Sequence, residues 1–314
     1  MKKVIYDCDN TMGLDNRDID DGLALVYLVE NKDVELLGVC TTYANDSLEY
    51  VHKQTLELVE DLGINLNVYK GRGKFEMNDY TGFGYKRFED DGNFESNEAA
   101  KFIVEMANKY PNEIDLLATG SMQNLYDAYM IDNEIGEKLN SVVLMGGITG
   151  DLYFGDKIMK ELNFSVCPKG AEVAIKKYKN VSILTGNRCM DVEFGTNELD
   201  KVKALGNNIK NEFIINKIEK WMREFKEKYN YDSIVLWDVI AAIYLMNPDM
   251  FRDDFMRVVS TEEDLFEGRL VEGESAARIN IPVVLDDKKI NDEMIKVVFE
   301  RWYKNLAKQK VGNE

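Results

Sequence analysis

Apolar and polar positions along the chain alternate in the way that strands and helices alternate in an α/β protein. An apolar run at residues 4–6 ends at Asp7, and residues 20–30 carry apolar side chains at helical spacing. A β-rich run at residues 34–46 and an amphipathic helix at residues 48–62 repeat that order. This opening predicts a βαβα unit, whose strands lie parallel in one sheet.

The same alternation continues to the end of the chain. It predicts further strands at residues 67–69, 114–118, 141–145 and 181–184, with short β-like runs at 256–260 and 281–285. It predicts helices at residues 99–109, 122–129, 171–177, 208–228, 233–246 and 292–308. Since no internal repeat or linker divides the chain, we predict a single large α/β domain, residues 1–314, with a mostly parallel central sheet and helices on both faces.

Two stretches are predicted to be less regular. Residues 154–168 show no clear period, and residues 71–96 are rich in Gly, Phe, Tyr and charge, which favours a mobile lid. Within that stretch, Gly71-Arg72-Gly73 could cradle a phosphate, but a lone GxG is a weak signal and favours a turn.

The composition indicates a globular protein with a large core and an acidic surface, since 45% of the 314 residues are hydrophobic and the net charge is -18. This charge argues against binding to nucleic acid or to an anionic membrane. No apolar run reaches membrane length, so we expect a cytoplasmic protein. The cysteines lack CxxC spacing and are expected to be buried thiols in a reducing compartment: Cys8, Cys40, Cys167 and Cys189.

Two pairs of acids lie near the start of the chain. Asp7 and Asp9 come at the end of the first predicted strand, and Asp20 and Asp21 open the first predicted helix. Four like charges repel strongly in a cleft of low dielectric constant, so we expect a bound cation or an exchange of protons there. Helix capping is the simpler alternative, but it needs only one acid.

Further polar residues follow other predicted strands. Asn45 and residues 120–124 come at strand ends, and the carboxyl ends of parallel strands form the ligand crevice in sheets of this kind. Asp238 is a single charge in an otherwise apolar helix, so it needs a partner, which a metal would supply. Because His52 is the only histidine, Ser-His-Asp and Cys-His catalysis are excluded unless His52 itself serves.

These motifs together resemble the inosine-uridine-type nucleoside hydrolases, a family that cleaves the N-glycosidic bond of ribonucleosides with a bound calcium ion. The resemblance covers most of the chain in the expected order. The matching motifs are Asp7-Cys8-Asp9 with Asp20-Asp21, TTYAND with Asn45, GSMQN at residues 120–124, MGG at 145–147, ELNF at 161–164 and Trp237-Asp238.

The resemblance implies a calcium site and a general base. Calcium would be held by Asp9, Asp21, Asp238 and the backbone carbonyl of Gln123, an all-oxygen set that suits this ion. Calcium would orient a water, Asp9 would take its proton, and the base would leave through an oxocarbenium-like state. The family resemblance also implies a homodimer or a homotetramer.

The resemblance implies contacts to a small-molecule nucleoside as well. Asp20, Glu161 and Asn163 would bind the ribose hydroxyls, with Asn45 and Met145 near the pocket wall. A site that pairs each hydroxyl can reject deoxy analogues sharply. The residues implied to be catalytic are Asp9, Asn163 and Trp237.

Two departures from the family pattern matter. Ten residues separate Asp9 from Asp20, where the family usually has three, so Asp15 and Asp18 compete with Asp20-Asp21 for assignment as the acid pair. We assign Asp20-Asp21 because they adjoin the apolar-periodic run.

The second departure is Trp237-Asp238, where many members carry His-Asp. It resembles the purine-preferring subgroup, in which an aromatic stack on the base helps it to accept a proton. We therefore expect hydrolysis of purine nucleosides in preference to pyrimidine nucleosides. The alternative for Trp237 is a tryptophan that simply fills the core.

Two rival functions remain open at the level of sequence. YDCDNT also resembles the opening motif of haloacid-dehalogenase-type phosphatases, with Asp7 as nucleophile, Asp9 as acid and bound magnesium. That assignment leaves Asp20-Asp21 and Trp237-Asp238 without a role. The other rival is a non-catalytic protein that binds nucleosides.

Overall fold

The computed structural model of the chain describes residues 1–73, 92–205, 209–274 and 277–300. In its first half, strands and helices alternate as predicted. The elements are β1 (Lys2–Cys8), α1 (Asp20–Glu30), β2 (Val34–Thr41), α2 (Leu48–Asp61), β3 (Val68–Lys70), α3 (Glu98–Lys109), β4 (Ile114–Ala118), α4 (Gln123–Ile131), α5 (Ile135–Lys138) and β5 (Ser141–Met145).

The second half contains longer helices and shorter strands. These elements are β6 (Leu152–Phe154), β7 (Lys157–Met159), α6 (Pro168–Lys177), β8 (Val181–Leu184), α7 (Gly186–Cys189), α8 (Thr196–Ala204), α9 (Ile209–Tyr229), α10 (Trp237–Met246), β9 (Phe251–Arg252), β10 (Phe255–Arg257), α11 (Glu262–Phe266), β11 (Arg278–Asn280), β12 (Val283–Val284) and α12 (Asp287–Ile295). The described residues also include three short helical turns: 3-10 turns at Phe94–Ser96 and Pro248–Met250, and a π-helix at Lys296–Glu300.

Within the described ranges, the central sheet has eight strands in the order β10-β11-β8-β5-β4-β1-β2-β3, and all neighbours except β10 and β11 are parallel. The chain adds β2 and β3 on one side of β1, then crosses over and adds β4 and β5 on the other. This reversal beside β1 is a topological switch point, where ligand crevices form in open α/β sheets.

Helices cover both faces of the sheet, so the predicted α/β class is confirmed. Along β1, Tyr6 packs with Leu23 of α1 and Ile243 of α10 on one face, while Ile5 packs with Ile103 of α3 on the other. All five side chains are fully buried. Burying one such large apolar side chain contributes about 1.5–3 kcal/mol to folding.

Several predicted elements differ from those in the structure. Part of the stretch predicted to be irregular, residues 154–168, forms an antiparallel hairpin of β6 and β7. The helix predicted from residue 233 begins at Trp237, because Ile234 exchanges backbone hydrogen bonds with Phe194 (2.8 and 3.0 Å) and is held extended. The last helix begins at Asp287, five residues early, because Asp286 caps it through the backbone N–H of Lys289 (3.2 Å).

Some predictions concern parts of the chain beyond the described ranges. Most of the predicted lid, residues 74–91, and the end of the last predicted helix, residues 301–308, lie outside them. The domain boundaries at residues 1 and 314 stay a prediction. Of the helices in the described ranges, none has both the length and the apolar character needed to cross a membrane. The predicted burial of the four cysteines is confirmed, and all four are free thiols.

Candidate active site

The candidate site lies at the carboxyl ends of the central strands, as predicted. Asp7 is the last residue but one of β1, and Asp9 follows that strand directly. Asn45 follows β2, and its backbone N–H donates to Oδ2 of Asp9 at 2.5 Å. Thr119 follows β4, and its hydroxyl donates to Oδ1 of Asp21 at 2.8 Å. Three neighbouring strands therefore meet in one hydrogen-bonded cluster.

Two helices begin at this cluster and carry the remaining acids. Asp20 and Asp21 are the first two residues of α1, and neither is its N-cap, which is Ile19 without a side-chain bond. Helix capping therefore does not explain the pair. Asp238 is the second residue of α10, and its backbone N–H donates to Oδ2 of Asp20 at 3.2 Å. The positive ends of both helix dipoles favour negative charge here.

Asp18, which competed for assignment in the sequence, also belongs to this cluster. Its carboxylate lies within 4.8 Å of those of Asp20 and Asp21. The side-chain amide of Asn45 joins two of these acids, since it donates to Oδ1 of Asp18 at 2.9 Å and to Oδ2 of Asp21 at 3.3 Å. Asp15 lies outside, exposed and paired with Lys220 on α9.

Burial raises the pKa of every acid in the cluster, because a charged carboxylate loses its hydration there. The pKa of Asp9, Asp20 and Asp238 is well above the ordinary value, through loss of hydration first and then the charges of neighbouring carboxylates. Burial also raises the pKa of Asp7 and of Asp18 to about 7.

Three buried carboxylate oxygens have no hydrogen-bond partner in the described part of the chain: Oδ2 of Asp7, Oδ1 of Asp9 and Oδ1 of Asp20. Unpaired buried charge of this kind costs several kcal/mol. A divalent cation would satisfy it, and an all-oxygen set of ligands suits calcium or magnesium. The residues present therefore fit a metal ion.

A cavity of about 660 Å³ opens over the cluster. Asp18, Asp20 and Asp238 line it, together with Asn45 and Thr119. The hairpin β6–β7 and the end of α9 form its walls, which include Leu152, Ile158, Trp221, Phe225 and Tyr229. Asp9, Asp21 and Gln123 are fully buried and are not among the lining residues of the described chain.

Glu161 and Asn163 line the same cavity next to the end of β5. The Nδ2 group of Asn163 donates to the carbonyls of Thr119 (2.7 Å) and Met145 (3.0 Å). The carboxylate of Glu161 accepts backbone N–H groups, including that of Gly147 at 3.1 Å, and burial raises its pKa to about 7. Both side chains are therefore held in fixed positions facing the cavity.

Trp237 lies on the cavity wall, which favours a role in the site over one in the core. Its indole meets the ring of Phe154 edge to face, with 6.2 Å between centroids. The ring of Phe154 also meets that of Phe225 on α9 edge to face, with 5.0 Å between centroids. This aromatic group joins the hairpin to α9 and leaves one side of the indole towards the cavity.

Gln123 is tied into a second buried network behind the acids. Its Nε2 group donates to Asp127 at 2.8 Å, and Arg72 binds both oxygens of Asp127 at 2.7 and 2.8 Å. Asn97 donates to Asp127 at 2.7 Å and to Asn124 at 2.9 Å. Arg72 is thus engaged in an ion pair, and the phosphate-cradle alternative for its motif has no support.

The second network reaches the acid cluster through Asn124. Its Nδ2 group donates to Oδ1 of Asp7 at 2.7 Å. Gly71 lies so close that a Cβ there would come within 2.6 Å of the Asn124 side-chain oxygen. Sequence reasoning missed this network, because Arg72 and Asp127 are 55 residues apart and no local pattern connects them.

The fold and the site define a nucleoside hydrolase. Residues 4–301 match the family model described as inosine-uridine preferring nucleoside hydrolase, and the chain belongs to this family. The resemblance inferred from the motifs is thereby confirmed, and with it the enzyme class, hydrolysis of N-glycosyl bonds. The phosphatase alternative also lacks support in the site, since Asp7, its nucleophile, is fully buried and bonded to Asn124.

The names of individual relatives give different bases for the nucleosides on which those proteins act. The chain is 24% identical over 247 residues to uridine nucleosidase 1 of Arabidopsis thaliana, covering 74% of this chain and 72% of that protein. It is 27% identical over 182 residues to a pyrimidine-specific ribonucleoside hydrolase of Escherichia coli, covering 55% of each. Its fold matches a purine-preferring ribonucleoside hydrolase from Gardnerella vaginalis with a TM-score of 0.80 at 20% identity, covering 96% of this chain and 99% of that one.

Proposed function

We propose that the protein hydrolyses purine ribonucleosides to free base and ribose, with calcium at the acid cluster. The observation that carries this proposal is a set of buried carboxylates with unpaired oxygens next to a cavity of about 660 Å³ with an aromatic wall. Such a cavity is large enough for a nucleoside, whose sugar needs polar groups and whose base needs an apolar wall.

Calcium would be held by Asp9, Asp21, Asp238 and the backbone carbonyl of Gln123. When bound, it supplies Lewis-acid chemistry, since it lowers the pKa of a coordinated water and neutralises negative charge. A nearby cation also lowers the pKa of carboxylates. Bound calcium would therefore oppose the effect of burial and favour the ionised form of these acids.

Asp9 is the proposed general base. Its two oxygens differ, because Oδ2 accepts the backbone N–H of Asn45 while Oδ1 has no partner in the described chain. One oxygen thus fixes the orientation of the carboxylate and the other is available to take a proton from the attacking water. A base must lie in a fixed position within hydrogen-bond reach of that water.

Ribose recognition is assigned to Asp20, Glu161 and Asn163, with Asn45 and Met145 at the wall. All five residues line the cavity. The side chains of the three ribose contacts are held by backbone groups, as with Asn163 on the Thr119 and Met145 carbonyls, so they are arranged before the sugar binds.

Trp237 is the proposed contact to the base and therefore a catalytic residue. With no histidine in the chain beyond His52, the leaving base must accept a proton from solvent. A purine can do so through a ring nitrogen, and contact with an electron-rich indole face favours the protonated base. This supports a preference for purines.

The proposal is tested by incubating the protein with inosine, cytidine and p-nitrophenyl phosphate, and measuring released ribose and phosphate. We expect ribose from inosine, less from cytidine, and loss of activity on chelation of calcium. Phosphate release would support the phosphatase instead. Binding of inosine without any ribose would identify a nucleoside-binding protein.

A cytoplasmic location and a homodimer or homotetramer stay predictions. Cell fractionation tests the first, and size-exclusion chromatography with light scattering tests the second.

A further inference from the structure

The ten residues between Asp9 and Asp20 fold into a braced loop, residues 10–19, that carries Asp18 back to the cavity. At its start, Met12 is buried in the core and its N–H donates to Oδ1 of Asn10 at 3.1 Å. At its tip, Asn16 donates its N–H to Glu224 of α9 at 3.0 Å. The loop is thus held at its start and at its tip, so the position of Asp18 is fixed.

One carboxylate oxygen of Asp18 accepts two hydrogen bonds, which fix the side chain. Oδ1 accepts the hydroxyl of Thr11 at 3.2 Å and the side-chain amide of Asn45 at 2.9 Å. The carboxylate lies on the cavity surface within 4.8 Å of those of Asp20 and Asp21. Three carboxylates are therefore brought together by local hydrogen bonds against their mutual repulsion.

In the described part of the chain, no basic side chain forms an ion pair with Asp18. Arg17, next to Asp18, pairs with Asp46 at 2.9 Å. Within the described ranges, no lysine or arginine nitrogen lies within 4.0 Å of the Asp18 carboxylate, although the charges of Arg17 and Lys228 act on it from farther away.

An independent observation points to a ligand at the same place. Oδ1 of Asp20 belongs to a side chain that is only 2% exposed, and it has no hydrogen-bond partner in the part of the chain that the structure describes. Asp20 lines the same cavity as Asp18. A cation beside these three carboxylates would stabilise this oxygen, and a bound ribose hydroxyl could still donate to it.

We propose that Asp18 is a further carboxylate ligand of the cation site, supplied by the loop of residues 10–19. The inference rests on the proposed function, in which Asp9, Asp21, Asp238 and the Gln123 carbonyl hold calcium. Calcium takes six to eight oxygen ligands, so this set leaves room for another. Because the number of charged ligands tunes calcium affinity, the loop would make this site bind calcium more tightly.

The test measures calcium affinity directly, without substrate. The full-length protein is stripped with a chelator and titrated with calcium chloride in a calorimeter, as wild type, Asp18→Asn and Asp15→Asn. Asparagine keeps the size of the side chain and an acceptor for Thr11 but removes the charge. We expect Asp18→Asn to bind calcium about 10- to 100-fold more weakly.

Asp15→Asn is the matched control, because Asp15 lies on the same loop, is 83% exposed and pairs with Lys220. It should bind calcium like the wild type. Equal affinity of Asp18→Asn and wild type would overturn the inference.

A second measurement separates a ligand from a residue that only supports the loop. Removing one like charge from the cluster should raise the Tm of the calcium-free protein and reduce the further rise in Tm on adding calcium. A lower Tm without calcium, with an unchanged rise on adding it, would mean that Asp18 only stabilises the loop.

The inference and the proposed function fail in different ways. If the wild type binds no calcium, the proposed cofactor is wrong, and the inference falls with it. If the wild type binds calcium and releases ribose but Asp18→Asn binds calcium equally well, only the inference is wrong.

Discussion

Asp9 shows how one side chain can be both anchored and available. Its Oδ2 accepts a short backbone hydrogen bond, and its Oδ1 has no partner in the described chain. A substitution that keeps the anchored oxygen but cannot take a proton should therefore remove the chemistry, and it should weaken calcium binding as well, since Asp9 is also a proposed calcium ligand.

We accordingly predict that Asp9→Asn lowers kcat by at least about 100-fold, the usual contribution of a general base, while KM changes little. Steady-state hydrolysis of inosine under saturating calcium measures both. Near-normal kcat in a variant that still binds calcium would assign the base to another group.

Trp237 offers a second prediction at the level of one residue. Stacking of an aromatic side chain on a base contributes about 1–3 kcal/mol. Trp237→Ala should therefore lower kcat/KM for inosine by about 10- to 100-fold and that for uridine less, while Trp237→Phe keeps most of the effect. If the wild type prefers uridine, or if the alanine variant leaves inosine hydrolysis unchanged, Trp237 does not contact the base.

Asp9 and Asp20 were selected from the sequence because they stand at the end of the first predicted strand and at the start of the first predicted helix. Asp238 was selected for another reason, because it is a single charge in an apolar helix. Asp18 could not be separated from Asp15, since both lie in the same polar loop and only the folded loop directs one of them into the cavity.

Among the elements, the N-terminus of α4 depends on an ion pair that no local pattern predicts. Arg72 and Asp127 form a bidentate pair with side chains 8% and 0% exposed. Gln123 and Asn124, the first residues of α4, are positioned by this pair and by Asn97. Loss of one charge would leave its partner buried and unpaired.

We predict that Arg72→Met lowers the free energy of unfolding by about 3–5 kcal/mol, and that adding Asp127→Leu recovers part of the loss. Urea denaturation of the single and double variants measures this. The exposed pair of Arg269 with Asp151 is the matched control, and Asp151→Asn should cost no more than about 1 kcal/mol. Equal losses of unfolding free energy for Arg72→Met and Asp151→Asn would contradict the conclusion that α4 depends on the buried ion pair.

Element boundaries were missed where distant contacts decide them. The sequence of residues 233–246 reads as one apolar helix, yet its first turn is lost because Ile234 pairs with Phe194, about 40 residues earlier in the chain. The short strand β11 was missed for a different reason, because three residues give too little periodicity.

For the whole molecule, the class of fold was predictable and the order of strands was not. Alternation of strands and helices determines a parallel sheet covered on both faces. The order β10-β11-β8-β5-β4-β1-β2-β3 depends on which crossover each helix makes, and hydrophobic pattern alone does not encode that choice. The site could still be located, because strand ends meet at one edge whatever their order.

Because all four cysteines are buried, their reactivity with an alkylating reagent would report on local unfolding of the enzyme. Thiolates are the form that reacts with alkylating reagents, and burial raises the pKa of every one of these thiols, that of Cys167 to about 12. A folded molecule should thus resist iodoacetamide at neutral pH. Cys8 lies in the central strand β1, whereas Cys189 ends the short helix α7. Mass spectrometry would show which of the two is alkylated first. Earlier alkylation of Cys189 would mean that the region of α7 unfolds locally before the central sheet does.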